Sequence, residues 1–269
     1  MIKTPSTTMI GGAGIWTPGC TVIGGQQNID QLIKSLFADG TQGIYLNAQD
    51  AVSVSDLSSI KDLSGNNNHA LQENSAKRAT LITDPSGYKS LKFDGIDDGY
   101  VTQSINFTNT DKVTVIAAVR KLSDAGASMV AELSVNAQIN VGGFYVVAPI
   151  YAGANYAVLI NNGVSAPATT ATGYTAPTSN VISARLNTKG VTRNDQIGMR
   201  VDGVPKGDTS ILSAGGDFGN YPLFIGRRGG TSLAFNGQIY ALLVIGKLLD
   251  DATTQKIEKE FAKYIGVTL

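Results

Sequence analysis

Short apolar runs, separated by turns rich in glycine and asparagine, make up most of this chain of 269 residues. Residues 113–119 carry apolar side chains on both faces of an extended chain, which predicts a central strand covered on both sides. Ile197, Met199 and Val201 instead alternate with small or polar residues, which predicts a strand with one buried and one wet face. The spacing is therefore that of strands through most of the sequence.

Runs of this kind recur with Gly, Asn or Pro between them. The predicted strands cover residues 44–46, 91–93, 100–101, 113–119, 129–133, 144–147, 156–160, 181–186, 197–201, 204–206, 223–225 and 238–245. Asp202-Gly203 is a strong signal for a tight hairpin turn. Since no helical pattern separates the strands, we predict a mainly β fold, an antiparallel two-sheet jelly-roll sandwich.

Helical periodicity is predicted in two places. A short N-terminal helix has apolar residues on one face, namely Ile29, Leu32, Ile33, Leu36 and Phe37. Asn28 can cap its start and Gly40 can end it. A C-terminal helix likewise has apolar residues on one face, namely Ile257, Phe261 and Ile265. Asp250 or Asp251 can cap this second helix, and Gly266 stops it.

These elements divide the chain into an extended arm (residues 1–27), a short helix and turn (28–42) and a sandwich domain that ends in a helix (43–269). The arm is rich in Gly and Thr and lacks the periodicity needed for a core of its own. Its apolar side chains, Ile15 and Trp16 among them, would be costly to leave in water. We therefore predict an assembly arm that docks on a neighbouring subunit, with a disordered tail as the alternative.

Composition narrows the classes of function. Net charge is zero and the pI is about 6.6, so binding to nucleic acid or to an anionic membrane surface is not indicated. Cys20 is the only cysteine, which excludes an intrachain disulfide, and the single histidine, His69, excludes multi-histidine zinc sites. No apolar run reaches the roughly 20 residues of a membrane helix. The first residues lack the apolar stretch of a signal peptide, so we expect synthesis in the cytoplasm.

Four motifs occur in an order typical of one superfamily. They are residues 62–70 (DLSGNNNHA), 91–101 (LKFDGIDDGYV), 198–204 (GMRVDGV) and 235–239 (FNGQI). Together they resemble the concanavalin A-like lectin/glucanase superfamily in its laminin G-like form, over residues 43–269. The resemblance implies a lectin-like sandwich.

The lead-in to this domain carries a second resemblance. Residues 36–47 (LFADGTQGIYLN) are similar to the segment that precedes such domains in structural proteins of tailed bacteriophages. This implies a non-enzymatic virion protein, a capsid decoration, fibre or tail adsorption module, made in the host cytoplasm. The implied partners are other virion proteins through the arm, sister subunits of a homo-oligomer, and a host surface glycan. Membrane insertion is not expected.

Three aspartates are the candidate metal ligands: Asp94, Asp97 and Asp98. Ca²⁺ takes several oxygen ligands, and a turn can supply carboxylates and carbonyls together. The laminin G-like resemblance also implies that a calcium ion can be held at a loop rim. The alternative is a plain turn, since Asp-Gly pairs are ordinary turn formers. No other cofactor is expected.

Carbohydrate sites in such sandwiches place an aromatic ring, on which a sugar stacks, beside Asn and Asp side chains that bond its hydroxyls. The candidate set is Tyr145, Tyr151, Asn155, Tyr156 and Asn161, with Asn162 and Tyr174 nearby in the sequence. The alternative is that Tyr145 and Tyr156 are half-buried strand residues.

Retaining glucanases need two carboxyls about 5 Å apart. The chain has four glutamates: Glu73 and Glu132 stand alone on unrelated segments, and Glu258 and Glu260 lie on different faces of the predicted C-terminal helix. We therefore predict a protein without catalytic residues. The alternatives are a glycan-degrading enzyme that uses aspartates, and a self-associating structural protein without a ligand.

Overall fold

The computed structural model describes residues 28–50, 56–164, 168–206 and 215–269. The predicted assembly residues Ile15 and Trp16 lie outside the described residues. In chain order the elements are α1 (Ile29–Ser35), β1 (Gly43–Asn47), β2 (Ser59–Ile60), β3 (Ala70–Leu71), β4 (Thr80–Thr83), β5 (Lys89–Asp94), β6 (Tyr100–Asn106), β7 (Lys112–Lys121), β8 (Met129–Leu133), β9 (Phe144–Val147), β10 (Asn155–Ile160), β11 (Ala168–Thr172), β12 (Thr178–Asn187), α2 (Arg193–Gln196), β13 (Ile197–Val201), β14 (Val204–Lys206), β15 (Asn220–Ile225), β16 (Asn236–Ile245) and α3 (Asp251–Tyr264).

The strands form two antiparallel sheets, which confirms the predicted fold class. The first sheet has the order β14-β13-β12-β7-β16-β5-β4, and β1 also pairs with β16. The second sheet has the order β11-β10-β9-β8-β15-β6-β3-β2. Strand β16 pairs with β7 on one side and with both β5 and β1 on the other. It is therefore the central strand of the first sheet.

Strand β7 explains how the layers stack. Its side chains alternate between the inter-sheet core, which takes Val113, Val115, Ala117 and Val119, and a second core under the helices, which takes Ile116 and Ala118. The prediction that residues 113–119 are covered on both faces is confirmed. The first sheet therefore lies between the second sheet and the helices α1 and α3.

The two predicted helices begin at predicted caps, and they end slightly early, α1 at Ser35 and α3 at Tyr264. The Asn28 side chain accepts a hydrogen bond from the Asp30 amide at 3.0 Å, and the Asp250 carboxylate accepts one from the Thr253 amide at 2.7 Å. Gly40 and Gly266 follow the two helices with φ of +82° and +69°, a conformation that suits glycine. Ile33 of α1 and Phe261 of α3 lie in the same core.

The turn in residues 61–70 is held together by Asp62. One of its oxygens accepts from the Tyr45 amide at 3.0 Å, and the other accepts from the Asn68 amide at 2.9 Å. His69 accepts through Nδ1 from the Asp62 amide at 3.1 Å. The polar side chains of this stretch therefore tie a turn to β1.

No helix among the described residues is long and apolar enough to span a membrane.

Candidate functional site

Loops of both sheets meet at one end of the sandwich, and we call this end the loop rim. It comprises residues 95–99, 122–128, 148–154, 173–177 and 202–203. The strand register aligns these loops, because Lys121 pairs with Gly237 while the preceding residue Asn236 pairs with Asp94. The three candidate metal ligands and three of the five candidate carbohydrate-binding residues lie at this end.

The three aspartates converge. Carboxylate oxygens of Asp94, Asp97 and Asp98 all lie within 4.8 Å of one another. Asp94 Oδ1 accepts from the Ile96 amide at 2.8 Å and the Asp97 amide at 3.2 Å, and Asp98 Oδ2 accepts from the Asp94 amide at 3.0 Å. The β5–β6 turn therefore folds around its own carboxylates. This geometry is compatible both with a calcium site and with a plain turn.

Burial and like charge disfavour ionisation of Asp98. The residue is 6% exposed, and desolvation together with the charges of Asp94 and Asp97 raises its pKa to about 6. Such a carboxyl can hold a proton near neutral pH or exchange it for a hard cation. The oxygen donors fit Ca²⁺ in kind, although Arg227 donates to the Asp97 carbonyl at 3.1 Å and brings a positive charge to the turn. The assignment to calcium stays a prediction.

Tyr151 is the candidate aromatic that the loop rim exposes. It lies in the β9–β10 loop and is 71% exposed. The loop is fixed by hydrogen bonds on both sides: Asn155 Oδ1 accepts from the Ile150 amide at 2.9 Å, and the Asp124 carbonyl accepts from the Gly153 amide at 2.9 Å. Asn155 thus positions the loop that carries Tyr151.

Tyr156 is at the rim but is wholly buried. Its hydroxyl donates to Asn180 Oδ1 at 2.7 Å, and its ring lies 5.1 Å, centroid to centroid, from that of the half-buried Tyr174. A ring without exposed surface offers no face to a sugar. The prediction of Tyr156 as a stacking platform is therefore wrong, because its position in β10 points into the inter-sheet core.

Tyr145 is also buried, and it lies on the outer face of the second sheet. The Arg228 guanidinium lies 5.6 Å from the centre of its ring, and burial raises the pKa of Tyr145 to about 12. Arg228 is in turn paired with Glu132 at 3.0 Å, a carboxylate without exposed surface. A sugar cannot reach this ring, so the prediction of Tyr145 as a platform is wrong because Arg228 and the residues around it cover the ring.

Asn161 is at the other end of the sandwich from the loop rim. Its side chain donates to the Gln138 carbonyl at 3.2 Å and accepts from the Gly163 amide at 3.1 Å. These bonds tie the β8–β9 loop to the residues after β10. The structure therefore does not bring Asn161 together with the other candidates, and its hydrogen-bonding groups serve the loops.

Lys121, the last residue of β7, and Asp124 of the rim form a pair that the sequence reasoning missed. Lys121 has no exposed surface, and its ammonium lies 2.6 Å from Asp124 and 5.0 Å from the centre of the Tyr156 ring. Desolvation works against ionisation of Asp124, but the Lys121 hydrogen bond, the Ala176 amide and the Lys121 charge together hold its pKa below the ordinary value. The alternation of side chains along a strand could have revealed this residue, because Lys121 continues the inward-facing positions of β7.

Asp124 joins three loops of the rim. Its carboxylate accepts from the Ala176 amide at 2.8 Å in the β11–β12 loop, and its carbonyl accepts from Gly153 in the β9–β10 loop. Its own loop follows β7. The pair formed by Lys121 and Asp124 therefore sets the relative positions of the loops that carry Tyr151 and Tyr174.

The glutamates do not meet. Glu132 pairs with Arg228, Glu258 with Arg200 at 2.9 Å, and Glu260 with Lys263 at 2.6 Å. Glu73 is exposed beside a short helical turn. Glu132 and Glu258 pair with cations from other elements, and Glu260 pairs with Lys263 of its own helix.

No family model and no curated protein matches the chain. The fold is similar to the binding domain of Paraclostridial Mosquitocidal Protein 1, with 12% identity, a TM-score of 0.59, and coverage of 82% of this chain and 52% of that chain. The fold is also similar to botulinum neurotoxin type C, whose cell entry depends on interaction with two ganglioside molecules. Here the identity is 12%, the TM-score is 0.54, and the match covers 86% of this chain and 53% of that chain. For Trypanosoma rangeli sialidase the identity is 14%, the TM-score is 0.53, and the match covers 84% of this chain and 33% of that chain.

These likenesses show a shared β-sandwich fold. The chain spans about half of the two toxin chains and one third of the sialidase chain. Identities this low carry the fold only, so the binding chemistry of this protein has to be argued from its own loops.

Proposed function

We propose that the chain is a glycan-binding module without catalytic activity, with the loop rim as its site. The observation that carries the proposal is the exposed ring of Tyr151 on a loop whose backbone is fixed by Asn155 and Asp124. A platform held in place before binding loses little entropy when a sugar stacks on it. An exposed Tyr offers an apolar face and a polar edge to such a ligand.

The rim also supplies the polar groups that sugar hydroxyls need. Asp97, Asp124 and Asn155 are partly exposed polar residues of the two sheets at this end. The proposal for Ca²⁺ at Asp94, Asp97 and Asp98 belongs to the same rim, where a bound cation would fix the β5–β6 turn and offer open positions to hydroxyl oxygens.

The proposed setting is the virion, with the module displayed as a capsid decoration, fibre or tail adsorption element. Its support is the resemblance of residues 36–47 to phage structural proteins. The arm of residues 1–27, with Ile15 and Trp16, is proposed to attach the module to other virion proteins or to sister subunits. Deleting residues 1–27 should abolish particle incorporation, and unchanged incorporation and oligomer mass would contradict this role.

A glycan array tests the binding proposal. Wild-type protein should bind a subset of surface glycans, and Tyr151→Ala should lose at least about tenfold in affinity. Val191→Ala is the matched control, because Val191 is 87% exposed and lies away from the rim. An array without signal for any variant would favour a purely structural, self-associating protein.

A glycan-degrading activity is the second candidate, and one observation favours it. Two carboxyls within 4.8 Å, one with a pKa of about 6, resemble the acid and nucleophile of a retaining glycosidase. Incubation with capsular and cell-wall polysaccharides should then release reducing ends. Asp98→Asn should abolish that release, whereas a non-enzymatic module releases none with either variant.

A further inference from the structure

A groove on the outer face of the first sheet contains a basic side chain, Arg120, that makes no ion pair or side-chain hydrogen bond among the described residues. Its volume is about 530 Å³, which is in the range of small-molecule sites. The β4–β5 hairpin borders it through Ile82 and Tyr88, and the end of α3 borders it through Ile265. Its floor comes from β7, β16 and the residue after β7: Arg120, Leu122, Gln238 and Tyr240.

Three polar side chains form a row across adjacent strands at this groove. Gln238 of β16 pairs directly with Lys92 of β5 on one side and with Arg120 of β7 on the other. Directly opposed residues project from the same face, with Cβ atoms about 5 Å apart. The row therefore places two cations on either side of one amide.

All three side chains present hydrogen-bond donors. The Tyr240 hydroxyl donates to Gln238 Oε1 at 2.9 Å, which leaves the amide nitrogen of Gln238 as the free donor. Arg120 and Lys92 are both exposed, and within the described ranges neither makes an ion pair or a side-chain hydrogen bond. An array of donors without an acceptor matches an anion.

Nearby acidic groups do not satisfy these cations. Asp84 borders the groove, but its Oδ1 accepts from the Ser86 amide at 2.9 Å and the Tyr88 amide at 3.0 Å, and it makes no ion pair with Arg120.

Other arginines on this face are neutralised: Arg185 pairs with Asp251 at 3.2 Å, and Arg200 pairs with Glu258 at 2.9 Å. The groove lining carries one cation, Arg120, and one carboxylate, Asp84, and Lys92 beside the groove adds a second positive charge.

We propose that this groove binds an acidic saccharide, with a sugar carboxylate on Arg120 and Gln238 and the sugar ring against the half-buried Tyr88. A guanidinium binds a carboxylate through two parallel N–H donors, which fixes the orientation of the ligand. Lys92, at the far end of the row, attracts the next carboxylate of an acidic chain. The groove shares only Leu122 with the loop rim, so it is a second site, independent of the proposed function.

The test measures binding of tri-galacturonate and of its methyl ester, which is the same saccharide without the charges. Wild type should bind the acid at least about tenfold more tightly than the ester. Arg120→Gln should lose about tenfold in affinity for the acid, and Lys92→Gln should lose a few-fold. Lys256→Gln is the matched control, because it removes one exposed positive charge from α3 and should bind as wild type.

Four results would overturn the proposal: no binding of the acid by wild type, equal binding of acid and ester, binding unaffected by Arg120→Gln, or tighter binding of a hexaglutamate peptide than of the saccharide. Thermal melts check that the variants are folded, and Arg120→Gln should melt as wild type because Arg120 supports no described contact. Tyr151→Ala should leave acid binding unchanged, so failure of the groove and failure of the rim are separate results.

Discussion

The ammonium of Lys121 lies 2.6 Å from the carboxylate of Asp124, and the lysine has no exposed surface. Charged side chains are rarely buried unless they are paired, and here the pair sits where three loops of the rim converge. Its partner Asp124 keeps 24% of its side chain exposed. The rim therefore depends on one ion pair for the relative positions of its loops.

Removing this pair should loosen the rim. We expect Lys121→Met to cost roughly 2–4 kcal/mol of unfolding free energy, because Asp124 loses its partner while remaining largely buried. Urea unfolding measures the loss, and Lys256→Met on the exposed face of α3 should cost under about 0.5 kcal/mol. Adding Asp124→Asn, which keeps an acceptor for the Ala176 amide, to Lys121→Met should restore part of the loss, whereas a further loss would contradict the role of the pair.

Breaking the ion pair between Glu132 and Arg228 should give a pH-dependent defect. Burial raises the pKa of Glu132 even with Arg228 beside it. In Arg228→Met the pKa rises further, so the native state binds the proton more tightly than the unfolded state and stability falls as pH rises. We expect a loss of about 3 kcal/mol near pH 8 that shrinks towards pH 5.

A surface pair provides the control for this experiment. Arg185 and Asp251 are 3.2 Å apart, with 40% and 71% of their side chains exposed. Arg185→Met should therefore cost under about 1 kcal/mol at either pH. Equal pH dependence in both variants would show that burial of Glu132 is not the cause.

Asp98 should make the wild-type protein less stable as pH rises. Its pKa of about 6 in the fold lies above the ordinary value of 3.8, so the folded state holds a proton that the unfolded state has lost between these two values. Asp98→Asn removes this cost and keeps an oxygen for the Asp94 amide. We expect the variant to gain about 1 kcal/mol over wild type near pH 8, with the difference vanishing near pH 4.

Calcium should favour wild type over Asp98→Asn in stability near pH 8. A cation among Asp94, Asp97 and Asp98 stabilises the fold in proportion to its occupancy, and it needs the ionised form of Asp98. Added CaCl₂ should raise the melting temperature of wild type near pH 8 by a few degrees and should leave Asp98→Asn unchanged. Equal shifts in both proteins, or the same shift with MgCl₂, would contradict a specific site.

Strand positions could be predicted closely from the sequence because short apolar or alternating runs are bounded by turn residues. Residues 129–133, 144–147 and 197–201 are strands with the predicted bounds. The turn at Asp202 and Gly203 has φ of +51° and +72°, as the Asp-Gly signal requires. Local chemistry determines these features, so local residues reveal them.

Membership of the site could be predicted less well, because it depends on which face of a strand a side chain takes. Tyr145 and Tyr156 belong to neighbouring strands and are both buried, one under Arg228 and one over Lys121. Nothing in the types of these residues distinguishes them from the exposed Tyr151. Their cations come from distant segments, and only the assembled sheets bring each pair together.

The central place of β16 has a consequence for the folding reaction. Strands β1, β5 and β7 all pair with it, yet residues 236–245 leave the ribosome long after those three strands. Until then their edges are open to pairing with other chains, and the closing contacts are far apart in sequence, which makes folding slow. We expect refolding yields that fall with protein concentration, and nascent chains that need protection until β16 has been synthesised.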